Sequence, residues 1–336
     1  MHQFGFICRV ANPRANAAAI LAQYREAAQN GAALAVFPEL CLTGYTCGDL
    51  FHQQRLLDGA LEGLQTILAG TGDLATLALV GLPLRQGDRL YNCAALLQGG
   101  RILGVIPKQH LPNYGEFYEQ RHFRPGTPLE NGELTLLGQT VPFGTDLLFC
   151  CQDLPEFRLG VELCEDLWAP VPPSAALAQA GATVIANLSA SNETVGKADY
   201  RRTLIRSHSA RLLCAYAYAD AGNGESSTDL VFAGHNLIGE NGVLLGESSL
   251  FSQGLTYGDC DLGLLAHERM RMHTFAPPAQ AFRAIPFPRT LPTGRYPPSP
   301  SSPMANRPRP FAASRSWPCR PRAWPSGWPI PGPNGW

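Results

Sequence analysis

The sequence predicts a layered α/β fold, and three observations support this prediction. Short apolar runs that suit buried strands alternate, over residues 1–275, with segments whose apolar residues recur at helical spacing. The early runs are apolar at consecutive positions, as expected for a sheet that is covered on both faces. Later runs are joined by two-residue turns, which predict antiparallel hairpins. This mixture favours layered sheets over a purely parallel, doubly wound sheet.

The helix predictions depend on capping residues and on periodicity. Asn12-Pro13 suits the start of a helix, because Asn caps free N–H groups and Pro fits the first turn. Apolar residues follow at helical spacing, and Asn30-Gly31 ends this helix. Further helices are predicted at residues 53–68, 174–179 and 199–213.

The strand predictions depend on short apolar runs that are bounded by turn residues. An apolar run at residues 4–10 opens the chain, and Gly99-Gly100 and Asn241-Gly242 are the two hairpin turns. The predicted strands are residues 34–37, 77–82, 91–97, 102–106, 147–151, 159–163, 183–187, 216–220, 230–238 and 243–247.

Composition divides the chain into an acidic body and a basic end. The 336 residues are 45% hydrophobic and 16% charged, which is enough apolar material for a sizeable core. Residues 276–336 contain eight Arg, no Asp, Glu or Lys, and 17 of the 29 Pro. Residues 1–275 keep 18 basic and 27 acidic side chains, a formal charge of −9. This acidic body excludes a globally basic nucleic-acid-binding protein.

We therefore expect one domain over residues 1–275, its end or a linker at 276–287, and a tail at 288–336. The tail alternates Pro, Arg, Ser and Trp without apolar periodicity, so we expect it to be disordered. Our hypothesis is that a reading-frame change produces the tail. The alternative is a natural Pro-rich interaction tail, because the Arg-Pro-Arg-Pro sequence at 307–310 suits a polyproline-binding groove.

The sequence predicts neither a membrane protein nor a disulfide-rich one. The longest apolar stretch, at residues 74–84, is too short to span a bilayer, and the N-terminus lacks a signal-peptide pattern. A cytoplasmic location is expected. None of the ten Cys forms a C-x-x-C pair, and the eight His show no ligand spacing. We expect reduced, mostly buried thiols and no metal site.

Three chemically useful residues follow strand-like runs. Glu39, Lys108 and Cys164 each lie where a strand end opens onto a cleft. Lys108 is one of only two Lys, against 24 Arg, which indicates a need for a compact ammonium group. A thiol nucleophile needs a base, and its tetrahedral intermediate needs a cation or donors, so Glu, Lys and Cys suffice without His. Taken singly, each residue also fits a structural role as a cap, a solvated cation or a buried thiol.

The neighbouring residues resemble the three catalytic segments of the nitrilase (carbon–nitrogen hydrolase) superfamily, in the same order. These are Phe37-Pro38-Glu39-Leu40 with Leu42-Thr43-Gly44-Tyr45, Pro107-Lys108 with Leu111-Pro112, and Cys164-Glu165-Asp166. Other segments resemble the glutaminase domains of glutamine-dependent NAD synthetases, and the resemblance covers roughly residues 3–285. They include Tyr114-Gly115-Glu116-Phe117-Tyr118-Glu119, Ala186-Asn187-Leu188-Ser189-Ala190-Ser191 and Gly224-Glu225-Ser226-Ser227-Thr228-Asp229.

This resemblance implies an α-β-β-α sandwich with a Glu–Lys–Cys triad at one end of the paired sheets. Glu39 would take the proton of Cys164, and the thiolate would attack the side-chain amide of glutamine. Lys108 and a backbone N–H near Cys164 would stabilise the oxyanion. Ammonia would leave a γ-glutamyl thioester, which a water activated by Glu39 would hydrolyse.

The resemblance also implies supporting residues and partners. Glu119 would support Lys108 and the substrate, Tyr45 would lie near the pocket entrance, and no cofactor is expected for this chain. ATP and magnesium would serve only a synthetase domain, whose Ser-Gly-Gly-x-Asp-Ser type loop is absent from the sequence. Glutamine and a second copy of the chain are the expected partners, with no nucleic acid and no membrane. The implied glutamine pocket is formed by Tyr114, Phe117, Glu165 and Ser191.

Two other functions remain open at this point. One is a stand-alone amidase of the same superfamily that acts on another small amide. The other is a catalytically idle scaffold that binds partners. The segments around Tyr114 and Ser191 favour glutamine, and the intact Glu–Lys–Cys set argues against a loss of chemistry.

Overall fold

A computed structural model describes residues 7–288 of the chain. Its helices are α1 (Pro13–Gln29), α2 (Gln54–Ala69), α3 (Glu119–His122), α4 (Glu165–Trp168), α5 (Pro173–Gln179), α6 (Lys197–Leu212) and α7 (Leu262–Arg271). Its strands are β1 (Leu34–Val36), β2 (Leu77–Gln86), β3 (Arg89–Gln98), β4 (Arg101–Pro107), β5 (Gly132–Leu136), β6 (Gln139–Phe143), β7 (Leu147–Cys151), β8 (Arg158–Leu163), β9 (Val184–Ser189), β10 (Ala215–Asp220), β11 (Leu237–Glu240), β12 (Val243–Glu247) and β13 (Arg283–Phe287). Two 3₁₀ helices lie at Tyr45–His52 and Pro128–Glu130.

The strands form two mixed sheets. The first has the order β1-β2-β3-β4-β6-β5, and the second has the order β12-β11-β10-β9-β8-β7-β13. Strands β8, β9 and β10 are parallel neighbours, so their carboxyl ends meet at one edge of the second sheet. The hairpins β2-β3, β3-β4 and β11-β12 are antiparallel. The predicted mixture of parallel and antiparallel pairs is confirmed.

Three apolar layers hold the sheets and helices together. Helices α1 and α2 cover the outer face of the first sheet, where Ile20 and Ile67 pack with Val80. Helices α5 and α6 cover the outer face of the second sheet with Leu177 and Ile205. The inner faces of both sheets meet in one buried cluster that includes residues of β2, β3, β8 and β9. This arrangement confirms the implied α-β-β-α sandwich.

The two predicted hairpin turns have the backbone that their sequences require. Gly99 and Gly100 have φ values of 55° and 72°, and Asn241 and Gly242 have values of 44° and 86°. A type I′ turn needs positive φ at both central residues, which favours Gly and Asn. A third turn of this kind joins β5 and β6, two strands that the sequence analysis missed.

One predicted strand is wrong over most of its length. Only Leu237 and Ile238 of the segment predicted at 230–238 belong to a strand, β11. Gly234 has a φ of 64°, which breaks the extended backbone. The polar side chains that follow bond elsewhere, since His235 accepts from Arg201 and Asn236 accepts from the Asp220 N–H. At the other end of the chain, residues 7–9 of the apolar run 4–10 form no strand, and residues 4–6 lie outside the described part.

The segment 276–287 ends in a strand of the second sheet. β13 pairs in parallel with β7, and Arg283 donates to both carboxylate oxygens of Asp146 at 2.7 and 2.8 Å. The same guanidinium donates to the carbonyl oxygens of Gly132 and Phe143, so it joins the edges of the two sheets. Residues 289–336 lie outside the described residues. The disordered tail and its reading-frame origin therefore stay predictions.

Within residues 7–288, no helix is both long enough and apolar enough to cross a membrane. A cytoplasmic location stays a prediction. Seven of the nine cysteines in this range are buried. The prediction that the thiols are mostly buried is thus confirmed for the described part of the chain, and their reduced state stays a prediction.

Candidate active site

Three strand ends bring the predicted catalytic residues towards each other. Glu39 follows β1 by three residues, Lys108 directly follows β4, and Cys164 directly follows β8. The Glu39 turn lies tightly against β2, where a Cβ at Gly81 would come within 2.4 Å of the Leu40 nitrogen. The Glu39 N–H also donates to the Ser189 carbonyl at 3.3 Å, which ties this turn to the second sheet.

Lys108 forms the centre of a buried ionic cluster. Its Nζ donates to Glu39 Oε1 at 2.7 Å and to Glu119 Oε1 at 2.6 Å. Asn92 Nδ2 donates to the same Glu39 oxygen at 2.6 Å, and the Tyr45 hydroxyl donates to Glu119 Oε1 at 2.8 Å. Lys108 and Glu39 are fully buried, and Glu119 is 4% exposed. A buried ammonium with these partners is fixed in position.

The electrostatics keep this ammonium charged. Burial opposes the charge of Lys108, but Glu119 and Glu39 outweigh burial and raise the pKa of Lys108 well above its usual range. Burial raises the pKa of Glu119 to about 7, against the lowering effect of Lys108.

The Cys164 thiol belongs to the same cluster. Burial raises the pKa of Cys164 well above its usual range, and Glu39 raises it further, while Lys108 and a hydrogen bond with Ser189 lower it. The thiol is therefore protonated at neutral pH and needs a base at the moment of attack. Glu39 Oε2 is buried and has no hydrogen-bond partner among residues 7–288, so it is free to accept that proton.

The backbone of Cys164 is held in an unusual conformation. Its φ of 40° and ψ of −100° are rare for a residue with a side chain. Its N–H donates to the Leu188 carbonyl at 2.9 Å and to Asn187 Oδ1 at 3.1 Å. Strained backbone of this kind persists only where the surroundings fix it, so these contacts hold the thiol in place.

Asp166 joins two of the catalytic segments, and sequence reasoning missed this role. Asp166 Oδ1 accepts the backbone N–H groups of Gln109 and His110 at 3.2 and 2.8 Å. Its Oδ2 accepts the Leu163 N–H at 3.0 Å. The buried carboxylate therefore fixes the loop after Lys108 to the turn that carries Cys164. Asp166 was part of the recognised motif, but nothing in the sequence indicated its partners.

The predicted pocket residues divide into three groups. Tyr45, Phe117 and Glu119 line a cleft of about 250 Å³ beside the ionic cluster. Tyr114 is more than half exposed, and its hydroxyl donates to Glu165 Oε1 at 2.9 Å. Ser191 lies just after β9, and its buried hydroxyl has no partner among the described residues. The structure thus places all of them around the end of the sandwich that carries the ionic cluster.

Residues 2–269 match the carbon–nitrogen hydrolase family. The chain belongs to this family. The prediction of a carbon–nitrogen hydrolase domain is therefore confirmed.

Curated relatives of this carbon–nitrogen hydrolase carry a more specific name. Glutamine-dependent NAD(+) synthetase of Mycobacterium tuberculosis (strain H37Rv) is 50% identical over 268 residues, and that of Mycobacterium leprae is 46% identical over 278 residues. These alignments cover 79% and 82% of this chain, but only 39% and 41% of the relatives. The chain thus spans about two fifths of their length.

Solved structures support the same assignment. The glutamine-dependent NAD(+) synthetase of Cytophaga hutchinsonii superposes with a TM-score of 0.65 at 30% identity, covering 74% of this chain and 40% of that chain. An amidase from Nesterenkonia sp. superposes with a TM-score of 0.60 over 80% of this chain and 93% of that chain. The amidase is 22% identical, so it supports the fold alone.

Lys197 is a further charged group at this carbon–nitrogen hydrolase site. Its Nζ donates to Asn192 Oδ1 and lies 5.2 Å from the centre of the Trp168 ring. Burial lowers the pKa of Lys197, and the ionisable groups that act on it include Cys164 and Glu116. Sequence reasoning gave this residue no role, although the scarcity of Lys is a signal that singles it out.

The described residues also bring three side chains of metal-ligating types together at the edge of the cleft. One ligand atom each of Asp49, His52 and His122 lies within 4.8 Å of the others. Arg121 already donates to both Asp49 carboxylate oxygens, at 2.7 and 2.9 Å, so this carboxylate is ion-paired. Sequence spacing missed the cluster because His122 comes from a distant segment. The expected absence of a metal and a cofactor stays a prediction.

Proposed function

We propose that this chain hydrolyses the side-chain amide of glutamine and releases ammonia through Glu39, Lys108 and Cys164. The observation that carries the proposal is the buried cluster, in which a fixed ammonium bonds two carboxylates beside a protonated thiol. Membership of the carbon–nitrogen hydrolase family and relatives named for their dependence on glutamine support it.

The first half of the reaction forms a thioester. Glu39 accepts the Cys164 proton as the sulfur attacks the amide carbon, and a negative charge develops on the amide oxygen. Lys108 has three donors, of which two bond Glu39 and Glu119, so the third is available to the oxyanion. A backbone N–H near Cys164 completes the stabilisation. Glu39 returns its proton to the leaving nitrogen, the C–N bond breaks, and ammonia departs.

The second half regenerates the enzyme. Glu39 removes a proton from a water molecule, which attacks the carbonyl carbon of the γ-glutamyl thioester. The C–S bond then breaks, glutamate leaves, and the Cys164 sulfur recovers the proton from Glu39. The ammonia would serve NAD⁺ synthesis, the activity named for the relatives. ATP and magnesium belong to that later reaction and have no part in amide hydrolysis.

Charges at the mouth of the site suit a free amino acid better than a simple amide. Lys197 provides an ammonium that can bind the α-carboxylate, and Glu165 provides a carboxylate that can bind the α-ammonium group. Both groups are partly buried, which strengthens such pairs relative to fully solvated ones. The aromatic rings of Tyr114 and Phe117 are 6.0 Å apart, and we assign them to the apolar stem of glutamine.

Ammonia release across a panel of amides tests the proposal. We expect the purified 336-residue chain to hydrolyse glutamine without ATP, and to turn over asparagine, propionamide and glutaramide at least tenfold more slowly in kcat/KM. Equal or faster turnover of propionamide would favour the stand-alone amidase. The idle scaffold would be favoured if the protein is folded but hydrolyses none of these amides, and if a glutamine-like electrophile does not modify Cys164.

The Tyr45→Phe substitution should change the pH dependence of this activity. The Tyr45 hydroxyl donates to Glu119, which lowers the pKa of that carboxyl, so its removal raises the pKa of Glu119 above about 7. We expect hydrolysis to need ionised Glu119. As the pH is lowered, the variant should therefore lose activity at a higher pH than the unmodified protein does. One hydrogen bond corresponds to a rise of about 0.5–1 in the apparent pKa of the acidic limb of kcat/KM.

Tyr91→Phe is the matched control for this prediction. Its hydroxyl also donates to a carboxylate, Glu130, at 2.7 Å, but outside the ionic cluster. In this control variant, the acidic limb of the pH profile of kcat/KM should have the same apparent pKa as in the unmodified protein. An unchanged acidic limb in Tyr45→Phe would contradict a role for ionised Glu119 in the reaction.

A further inference from the structure

A row of buried polar side chains lies behind Cys164 on the helix-covered face of the second sheet. Glu162 of β8 is the register partner of Asn187 of β9, and Tyr216 follows on β10. All three are fully buried, and their neighbours in this layer include apolar residues such as Ile185 and Ile205, with the buried His208 ring beside Tyr216. None of the three takes part in the proposed reaction steps.

In this row each group donates a hydrogen bond to the next, in the direction from the Cys164 N–H to Glu162. The Ser174 N–H donates to Glu162 Oε2 at 2.8 Å, and the Tyr216 hydroxyl donates to Glu162 Oε1. Asn187 Nδ2 donates to the Tyr216 hydroxyl at 3.2 Å, and Asn187 Oδ1 accepts the Cys164 N–H at 3.1 Å. The row therefore begins at a carboxylate and ends at the backbone of the proposed nucleophile.

Such a row is costly in an apolar layer. Burial raises the pKa of Glu162 to about 7, because this layer solvates the carboxylate poorly. Replacing a satisfied buried polar group by an apolar one of similar shape is often neutral for stability. Stability alone is therefore a weak reason for a buried Glu–Tyr–Asn row at this place.

We propose that Glu162, Tyr216 and Asn187 are positioning residues for Cys164. The Tyr216 hydroxyl donates its hydrogen bond to the Glu162 carboxylate, so the hydroxyl oxygen is left to accept a hydrogen bond from the Asn187 NH₂ group. The Asn187 oxygen must then point at the Cys164 N–H. This contact holds the strained backbone that presents the thiol to Glu39 and Lys108. The inference rests on the proposed function, since it assigns the row to the same nucleophile.

The direction of the row gives each residue a distinct role. An Asn side chain can rotate by 180°, which exchanges its oxygen and its NH₂ group. Without the Tyr216 hydroxyl, only the Cys164 N–H, which also bonds the Leu188 carbonyl, still favours the correct orientation. In the wrong orientation, two N–H donors would face each other at Cys164. The sulfur would then lose its fixed position relative to the base.

Tyr216→Phe tests the proposal by removing a single oxygen atom. We expect kcat for glutamine to fall by about 10- to 100-fold, because small displacements of a reacting atom have effects of this size. KM should stay within threefold, since the glutamine pocket is untouched. Tyr24→Phe is the matched control, because Tyr24 is equally buried and its hydroxyl donates to the Thr76 carbonyl at 2.6 Å, outside the site.

A second measurement separates this inference from the proposed substrate. The rate at which iodoacetamide alkylates Cys164, followed by mass spectrometry, reports the position of the thiol and its base without any glutamine. We expect this rate to fall in Tyr216→Phe and to stay unchanged in Tyr24→Phe. A lower rate in a protein that does not hydrolyse glutamine would support the positioning row and reject the proposed substrate.

A pair of Glu162 variants completes the test. Glu162→Gln keeps an acceptor for the Tyr216 hydroxyl and should retain more of kcat than Glu162→Leu, which removes it. Equal losses in the two variants would contradict the directed row. An unchanged kcat and alkylation rate in Tyr216→Phe would also contradict the proposal. The same holds if Tyr216→Phe and Tyr24→Phe lose kcat equally when their melting temperatures fall by the same amount.

Discussion

Replacing Cys164 with Ala should reduce glutamine hydrolysis to the background rate while the protein remains folded. The substitution removes the only atom that forms the thioester, and no other group in the buried cluster is a comparable nucleophile. The side chain is small and lies just after a strand, so we expect a minor effect on stability. The measurements are ammonia release and the melting temperature of the variant.

Cys151→Ala is the matched control for this variant. Cys151 and Cys164 are both 5% exposed and each lies at the end of a strand of the second sheet. The control should keep full activity, and a glutamine-like electrophile should modify Cys164 and leave Cys151 intact. Turnover by Cys164→Ala comparable to that of the unmodified protein would reject Cys164 as the nucleophile.

Local signals in the sequence predicted the framework of the site. The strand runs before Glu39 and Lys108 are apolar throughout, and the run before Cys164 is interrupted only by Glu162, so the ends of these strands could be placed from the sequence. Capping residues and Gly-containing turns are also local, and they predicted α1 and two hairpins correctly. The family resemblance then supplied the order of the three segments, which single residues could not.

The contacts that organise the site could not be predicted in this way. Asn92 bonds Glu39 across 53 positions of sequence, and Asp166 bonds His110 across 56. The periodicity of the sequence does not reveal such pairs, because the first depends on the strand order within the first sheet and the second depends on how the two sheets stack. The predicted strand at 230–238 failed for a related reason, since the side chains of His235 and Asn236 bond to neighbouring segments in place of a ladder.

The carboxylate of Glu119 limits how many hydrogen-bond donors Lys108 can offer to the substrate. Sequence reasoning predicted that Lys108 stabilises the oxyanion and that Glu119 supports Lys108 and the substrate. In the structure the ammonium is shared between Glu39 and Glu119, so two of its three donors are already committed. Its position, in addition to its charge, therefore determines whether a donor remains for the substrate.

Lys108→Arg should consequently be severe, although the charge is retained. Arginine presents its donors in one plane and binds carboxylates through two parallel hydrogen bonds, so it would pair Glu39 or Glu119 and leave no donor aimed at the oxyanion. The fully buried site would also have to accommodate a larger group. We expect kcat to fall by about 100- to 1,000-fold, the effect of losing one oxyanion donor.

Lys108→Met provides the comparison that interprets this result, because it keeps the length of the side chain and removes the charge. Kinetics of glutamine hydrolysis and melting temperatures should be measured for both variants. If position matters as argued, the two variants lose kcat to a similar extent while both remain folded. A tenfold or smaller loss in Lys108→Arg, with a much larger loss in Lys108→Met, would mean that Lys108 acts through its charge alone. The assignment of its third donor to the oxyanion would then be wrong.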